Sequence, residues 1–285
     1  MRTVYSFAIS LLLSSSLFAQ GTIEGGIFAG LSSYGGDLAE RDIEITETHP
    51  AIGVLARYEV NNWLMFRGNL VVGTISGSDM NSSNINRRKR NLSFRSPIIE
   101  FSVVPEFNMY DFELKGGRSI IPYGFLGAGI FYYNPKALYE GEWVELQPLG
   151  TEGQGLPGYA SRYNLVDLSI PGGIGIKFKA TQKATISLEW GVRYTFTDYL
   201  DDVSTVYPDK DLLLARNGEL AVALSDRTEE YTGVPVSRSV NAGRGGALYT
   251  DVYHFIGTTI TINLFTPEVY SKKSAKTQAK KMKKR

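Results

Sequence analysis

Between Ala184 and Phe196 the chain alternates without a break. Ala184, Ile186, Leu188, Trp190, Val192, Tyr194 and Phe196 are apolar, whereas Thr185, Ser187, Glu189, Gly191, Arg193 and Thr195 are polar or glycine. Successive side chains of a strand point to opposite faces, so this spacing predicts a strand with one greasy and one wet face. Most of the chain repeats the pattern. Ile23, Ile27, Ala29 and Leu31 oppose Glu24, Gly26, Phe28 and Gly30; Ile52, Val54, Ala56, Tyr58 and Val60 oppose Gly53, Arg57 and Glu59. Leu64, Phe66, Leu70 and Val72 oppose Arg67 and Asn69; Ile99, Phe101, Val103, Pro105 and Phe107 oppose Ser96, Glu100, Ser102 and Glu106. Leu168, Ile170, Ile174, Ile176 and Phe178 oppose Ser169, Gly173, Gly175, Lys177 and Lys179; Ile256, Ile260, Ile262 and Leu264 oppose Gly257, Thr259, Thr261 and Asn263. The eighth strand, Ile120 to Tyr133, is rich in glycine and aromatics, and its facing is ambiguous. Pro105 cannot donate to a ladder, so irregularity is expected there.

The connections alternate long and short, with the shorter ones near Asn61, Tyr110 and Gln182. An even strand count with loops sorted by length onto one end is the punctuation of an outer-membrane barrel. A soluble sandwich has no reason to sort them. The predicted fold is therefore all-β: an eight-stranded antiparallel transmembrane outer-membrane β-barrel over residues 20–266, with long extracellular loops, short periplasmic turns and both termini periplasmic. Within the longest loop, Thr197 to Asp251, a little helix is expected near Leu212 to Leu224. Tyr58, Trp190, Tyr194, Phe196 and Phe265 suit interfacial girdles.

Composition refines this picture at the ends. Arg2, the apolar run Val4 to Leu13, a serine cluster and Phe18-Ala19-Gln20 read as a signal peptide over residues 1–19. The 285 residues include no cysteine, which excludes a disulfide scaffold, a thiol nucleophile and a lipidated cysteine. Beyond Ser271 come Lys272, Lys273, Lys276, Lys280, Lys281, Lys283, Lys284 and Arg285 with no acid. Residues 267–285 thus read as a mobile basic periplasmic tail. The near-neutral total conceals a net acidic body. A second basic run, Arg87-Arg88-Lys89-Arg90, reads as a solvated external loop.

An eight-stranded barrel encloses room only for side chains. The facings send Glu24, Arg57, Glu59, Arg67, Glu100, Glu106, Lys177, Lys179, Glu189 and Arg193 inward, equal numbers of each sign. Burying any of them unpaired costs several kcal/mol, so a lumen plugged by ion pairs is expected rather than a pore. Gly124, Gly127, Gly172, Gly173 and Gly175 would provide packing room inside it. Catalytic signatures are sparse. His49 and His254 are the only histidines, and no phosphate loop, zinc spacing or calcium loop occurs. His254 beside Asp251 is the single candidate for lipid-modifying chemistry, and a structural histidine is the better reading. No catalytic residue, metal or cofactor is assigned.

Gly25-Gly26-Ile27-Phe28-Ala29-Gly30 with Tyr34-Gly35-Gly36-Asp37-Leu38 resembles the start of the PorG-like proteins, outer-membrane barrels of the type IX secretion system of Bacteroidetes. Glu100-Phe101, Glu106-Phe107-Asn108, Pro122-Tyr123-Gly124-Phe125, Gly127-Ala128-Gly129 and, most tellingly, Asp198-Tyr199-Leu200-Asp201-Asp202-Val203-Ser204 extend the resemblance. It implies a non-enzymatic structural component of protein secretion, in contact with the periplasmic ring subunits and other parts of that machine. No nucleic acid and no small-molecule substrate are implied. The basic tail then becomes a candidate contact arm, toward an acidic ring surface or toward anionic wall polymer or lipid. The alternative is an OmpA- or OmpW-like stand-alone barrel serving adhesion or envelope integrity, and a lipid-modifying enzyme comes third.

Overall fold

The computed structural model describes residues 21–266 apart from 41–43, 237 and 247–249. The expected signal peptide and basic tail lie outside the described residues. Eight strands make up the body: β1 (Thr22–Gly35), β2 (His49–Glu59), β3 (Leu64–Ser78), β4 (Ser93–Asn108), β5 (Ser119–Leu126 continued by Ala128–Tyr133), β6 (Val166–Lys179), β7 (Ala184–Thr195) and β8 (Val252–Phe265). Each pairs antiparallel with its sequence neighbours, and β1 pairs with β8 from Ile23↔Phe265 to Gly35↔Val252. The ring is closed, so every strand has two partners and no edge remains.

The alternation read from the sequence is the alternation of the barrel. Ile52, Leu188 and Ile174 are 66%, 61% and 58% exposed on the outer face, while Arg57, Arg67 and Glu106 are at most 1% exposed within. The outer face is a continuous belt of Ile, Leu, Val and Phe. Water-soluble proteins rarely expose contiguous apolar patches beyond a few hundred Å², whereas a closed barrel in lipid must present such a belt. Among the described residues no helix is long and apolar enough to cross a membrane. The fold is a membrane-spanning barrel of the outer-membrane type. Trp190, Tyr194, Phe196 and Phe265 are exposed on its outside, and Tyr58 is half-buried there.

The structure settles the facing of β5. Ile121, Tyr123, Phe125, Phe131 and Tyr133 point inward and are buried. The β4–β5 ladder lapses between Val103↔Ala128 and Glu106↔Phe125, across Pro105 and Gly127. Proline has no N–H to offer there, and the Gly127 N–H bonds instead to the Pro171 carbonyl on β6 at 2.9 Å. The irregularity expected at Pro105 thus falls on its partner strand, and β4 itself runs unbroken.

Of the five glycines expected inside, Gly127, Gly173 and Gly175 take inward positions, whereas Gly124 and Gly172 alternate with outward residues. A Cβ on Gly173 would meet the Trp190 carbonyl oxygen and, at 2.5 Å, the Phe125 ring; one on Gly124 would meet only the Gly173 oxygen at 3.7 Å. Gly173→Val should therefore prevent closure of the barrel and Gly124→Ala should be tolerated, as read by heat-modifiable migration on a gel. Equal behaviour of the two variants would contradict this packing.

The connections 36–48, 79–92, 134–165 and 196–251 all leave the same end of the barrel and fold over it as a cap. The opposite end carries tight turns near Asn61 and Thr181, and between them a hairpin (Phe112–Glu113 against Ser119–Ile120) turned by Gly116 and Gly117 at φ 79° and 74°. The expected helix appears as α2 (Lys210–Asn217) and α3 (Glu219–Ser225), followed by α4 (Thr228–Thr232). The Asn134–Asn164 loop contains a hairpin, Lys136–Tyr139 against Glu142–Glu145. The basic run is not a solvated loop. It forms α1 (Ile85–Arg90), where Arg90 forks onto the buried Asp79 carboxylate at 2.7 and 2.8 Å and Arg87 donates to the Ala39 carbonyl.

Candidate functional site

Eight of the ten charged residues expected in the lumen are brought together there. Glu106 on β4 is the hub: it faces Arg57 of β2 at 3.1 Å, Arg67 of β3 at 3.0 Å and Lys177 of β6 at 2.6 Å. Arg57 also reaches Glu24 of β1 at 3.1 Å, and Arg67 reaches Glu189 of β7 at 2.5 Å. Three acids and three bases thus form one neutral chain of contacts across six strands. Higher in the lumen Arg193 meets Glu100 at 3.1 Å, and the Tyr253 hydroxyl donates to the same carboxylate at 2.7 Å. Glu59 and Lys179 stand apart, half-buried at the turn ends of β2 and β6.

Aromatic rings complete the network. Tyr123 donates to Glu189 at 2.6 Å, and Arg67, Lys177 and Arg193 lie over the rings of Phe125, Tyr123 and Phe255 at 4.8, 4.5 and 4.6 Å. The main ion network occupies the turn-end half of the lumen, and the Arg193–Glu100 pair lies among the apolar residues above it. Toward the cap the interior is filled by Phe28, Leu55, Val71, Ile75, Ile98, Phe131 and Phe255, continuous with Leu146, Leu200, Val203 and Leu224 of the cap. The expectation of a lumen plugged by ion pairs alone is corrected accordingly: the plug is half salt and half hydrocarbon. The sequence signal for the second half was the indecision over β5, whose two faces are both apolar.

The cap seats on the barrel mouth through the segment Asp198–Ser204. Leu200 and Asp202 are wholly buried, and Asp201, Val203 and Ser204 nearly so. The Tyr34 hydroxyl donates to Asp201 at 2.6 Å and lies 3.1 Å from Asp251, which accepts the Leu200 N–H at 2.9 Å. Glu152 accepts the N–H groups of Ser204 and Thr205 at 2.9 Å each, and Arg244 binds Glu152 at 3.0 Å while contacting Asp202 and the Ser225 carbonyl. Asp202 takes left-handed backbone (φ 65°) and accepts from Thr151 and from Tyr163 at 2.7 Å. Gly36 is required where the Tyr34 ring and Asp251 crowd its missing Cβ. Tyr34–Leu38 and Asp198–Ser204, far apart in sequence, therefore meet in space.

A phenol carries one proton, so both Tyr34 contacts are hydrogen bonds only when one of the two carboxyls is protonated. Burial raises Asp201 and Asp251, with Asp37 adding to the first and Asp201 to the second, and burial pushes Asp198 up to about 7. Raised carboxyl values mean that the folded cap binds protons the unfolded cap releases. This contribution is complete below about pH 4 and is lost as pH rises through the folded values. Arg90 faces Asp201 and opposes the trend without cancelling it. The cap should melt at lower temperature at pH 8 than at pH 5 by near-ultraviolet circular dichroism, and Asp201→Asn should flatten the difference. A cap that gained stability with pH would overturn the assignment.

The His254–Asp251 pair singled out in the sequence is not assembled as a base and its partner. His254 alternates outward and stacks on Trp190 at 6.1 Å and 13°, while the Asp251 carboxyl is engaged by Leu200 and Tyr34. Among the described residues no cluster of His, Asp and Glu is arranged to hold a metal ion. A cleft of about 400 Å³ lies in the cap, lined by residues of the 152–160, 199–206 and 240–241 segments.

Three solved structures align along most of the chain. Ail, the attachment invasion locus protein of Yersinia pestis, solved with the heparin analogue sucrose octasulfate, is 12% identical with a TM-score of 0.38, over 85% of this chain and 99% of that one. Neisserial surface protein A is 10% identical with a TM-score of 0.38, over 85% and 97%. OprG from Pseudomonas aeruginosa is 8% identical with a TM-score of 0.35, over 86% and 98%. Likeness at this level says nothing of what the present chain binds, and no curated protein matches it. A family model described as "Domain of unknown function (DUF6089)" matches residues 2–221, a range that includes all but the last barrel strand and reaches the cap helices, so the chain belongs to that family.

Proposed function

We propose that this protein is a non-conducting, non-enzymatic outer-membrane barrel that stands alone in the envelope and works through its cap, as a surface platform for adhesion or envelope integrity. The observation that carries this reading is the filled lumen. A neutral ion network and an apolar plug close it, and the plug continues into a cap braced by buried hydrogen bonds. In this reading the cap faces outward, the tight turns face the periplasm and both termini are periplasmic. The cysteine-free chain makes that testable. Pro157→Cys in the cap should react with an impermeant maleimide on intact cells, and Gln182→Cys in a tight turn should react only after lysis. The reverse pattern overturns the orientation.

A second reading, that the barrel is a component of type IX secretion contacting its periplasmic ring, is favoured by one observation. Two of the stretches that carry that resemblance, Tyr34–Leu38 and Asp198–Ser204, meet at the barrel mouth. Mild-detergent recovery of the full chain from its own envelope separates the two. Stoichiometric ring lipoproteins and secretion-pore subunits support the second reading, and a barrel recovered alone supports the first. The basic tail, Lys272 to Arg285, is the candidate contact in the second case.

A further inference from the structure

The cap cleft is unused by the lumen network and by the mouth plug, and its walls have a consistent chemistry. At about 400 Å³ it sits at the small end of ligand-site volumes. One wall is Tyr199, the last ring of a stack that begins in the barrel. Tyr133 stacks on Tyr163 at 6.2 Å and 11°, and Tyr163 on Tyr199 at 4.7 Å and 10°. Tyr163 covers one face of the Tyr199 ring and holds its plane, and Tyr199 lines the cleft. A second ring, Tyr159, accepts the Asp209 N–H at 2.8 Å, so its own hydroxyl proton is available to donate elsewhere.

Two amides flank these rings. Gln154 is 2% exposed; its oxygen accepts the Glu152 N–H at 2.9 Å, and its Nε2 finds no acceptor among the described residues. Asn241 is exposed in left-handed backbone at φ 66°, with its N–H tied to the Tyr207 carbonyl. The lining contains one formal charge, Glu152, and that carboxylate is already matched by Arg244, Ser204 and Thr205. Among the described lining residues no free cation awaits an anion and no free acid awaits a cation. Flat aromatic faces beside amides and hydroxyls, without net charge, complement a ring with C–H faces and hydroxyl edges.

We propose that this cleft binds a short uncharged saccharide, stacked on Tyr199 and hydrogen-bonded by Gln154, Tyr159 and Asn241. The proposal gives the surface platform a ligand class and rests on that reading only for its biological setting. Binding is measured on the purified full chain in an amine-oxide detergent, which carries no sugar head group. Maltose, cellobiose and N,N′-diacetylchitobiose are titrated and followed by saturation-transfer NMR. At least one should bind saturably. Tyr199→Ala should weaken it roughly three- to tenfold, the range for a lost stacked ring, and Tyr199→Phe should preserve it. Asn241→Gly, which removes the side-chain amide and keeps the left-handed backbone, should weaken binding without altering cap melting. Absence of saturable binding by all three sugars, or binding indifferent to both Tyr199→Ala and Asn241→Gly, would falsify the proposal. A cap shown by labelling to face the periplasm would overturn the platform reading and leave the binding result standing.

Discussion

Glu106→Gln should destabilise the barrel by about 3–5 kcal/mol, the range for removing one member of a buried ion network. The lost carboxylate serves three cations. Arg57 would keep Glu24 and Arg67 would keep Glu189, but Lys177 would be left with the Asn108 oxygen at 2.8 Å and the Met65 sulfur at 3.3 Å. An ammonium buried with neutral partners alone is the costly outcome. Urea unfolding from micelles or vesicles measures it directly. Lys177→Met in the Glu106→Gln background should recover part of the loss by removing the stranded charge. Glu145→Gln, in the exposed pair with Lys136, should change little. If the hub variant unfolds within about 1 kcal/mol of the parent, near the value of an exposed pair, the network does not hold the lumen.

Arg244→Met should have an effect of similar size and a different address. The guanidinium donates to the Ser225 carbonyl at 3.0 Å, to Glu152 at 3.0 Å and to the Asp202 carbonyl at 2.5 Å, and lies 3.6 Å from the Asp202 carboxylate. Its removal strands two buried acids in the cap at a cost of about 3–5 kcal/mol. The barrel has its own ladder and its own network, so it should remain folded while the cap opens. Limited proteolysis should cleave within 206–240 far faster than in the parent, with heat-modifiable migration of the barrel unchanged. Lysine should not substitute, because one ammonium cannot reproduce the fork. Intact protease resistance in Arg244→Met would show that the cap is held elsewhere.

The sequence was most legible where one solvent dictated one face. Lipid demands apolar residues at every second position, so the facings of β1 to β4 and β6 to β8 could be read residue by residue, and eight inward charges with them. Legibility failed where both faces are apolar. β5 buries Tyr123, Phe125, Phe131 and Tyr133 inside and presents Leu126 and Ile130 outside, which erases the period of two. Glu59 and Lys179 share the parity of the network but sit at strand ends, and parity carries no information about depth. The cap was the least legible part, because its bonds join distant segments: Arg90 to the Arg244 carbonyl, Tyr34 to Asp201 and Asp251, Glu152 to Ser204. No local periodicity announces such partners. The Asp198–Ser204 stretch could be singled out by resemblance, but its role as the seat of the cap required the fold.

The seam between β1 and β8 has a consequence for how the molecule is made. Asp251 immediately precedes β8, and Tyr34 stands at the end of β1, so zipping the two strands together also brings Asp251 to the phenol and to the Leu200 N–H. The contacts of highest sequence separation, which form late because of their loop-closure entropy, are thus shared by the wall and the lid. Circularisation of the sheet and latching of the cap become a single cooperative event. An assembly intermediate with an open seam would carry an unlatched lid, and a lid-specific antibody would recognise only finished barrels.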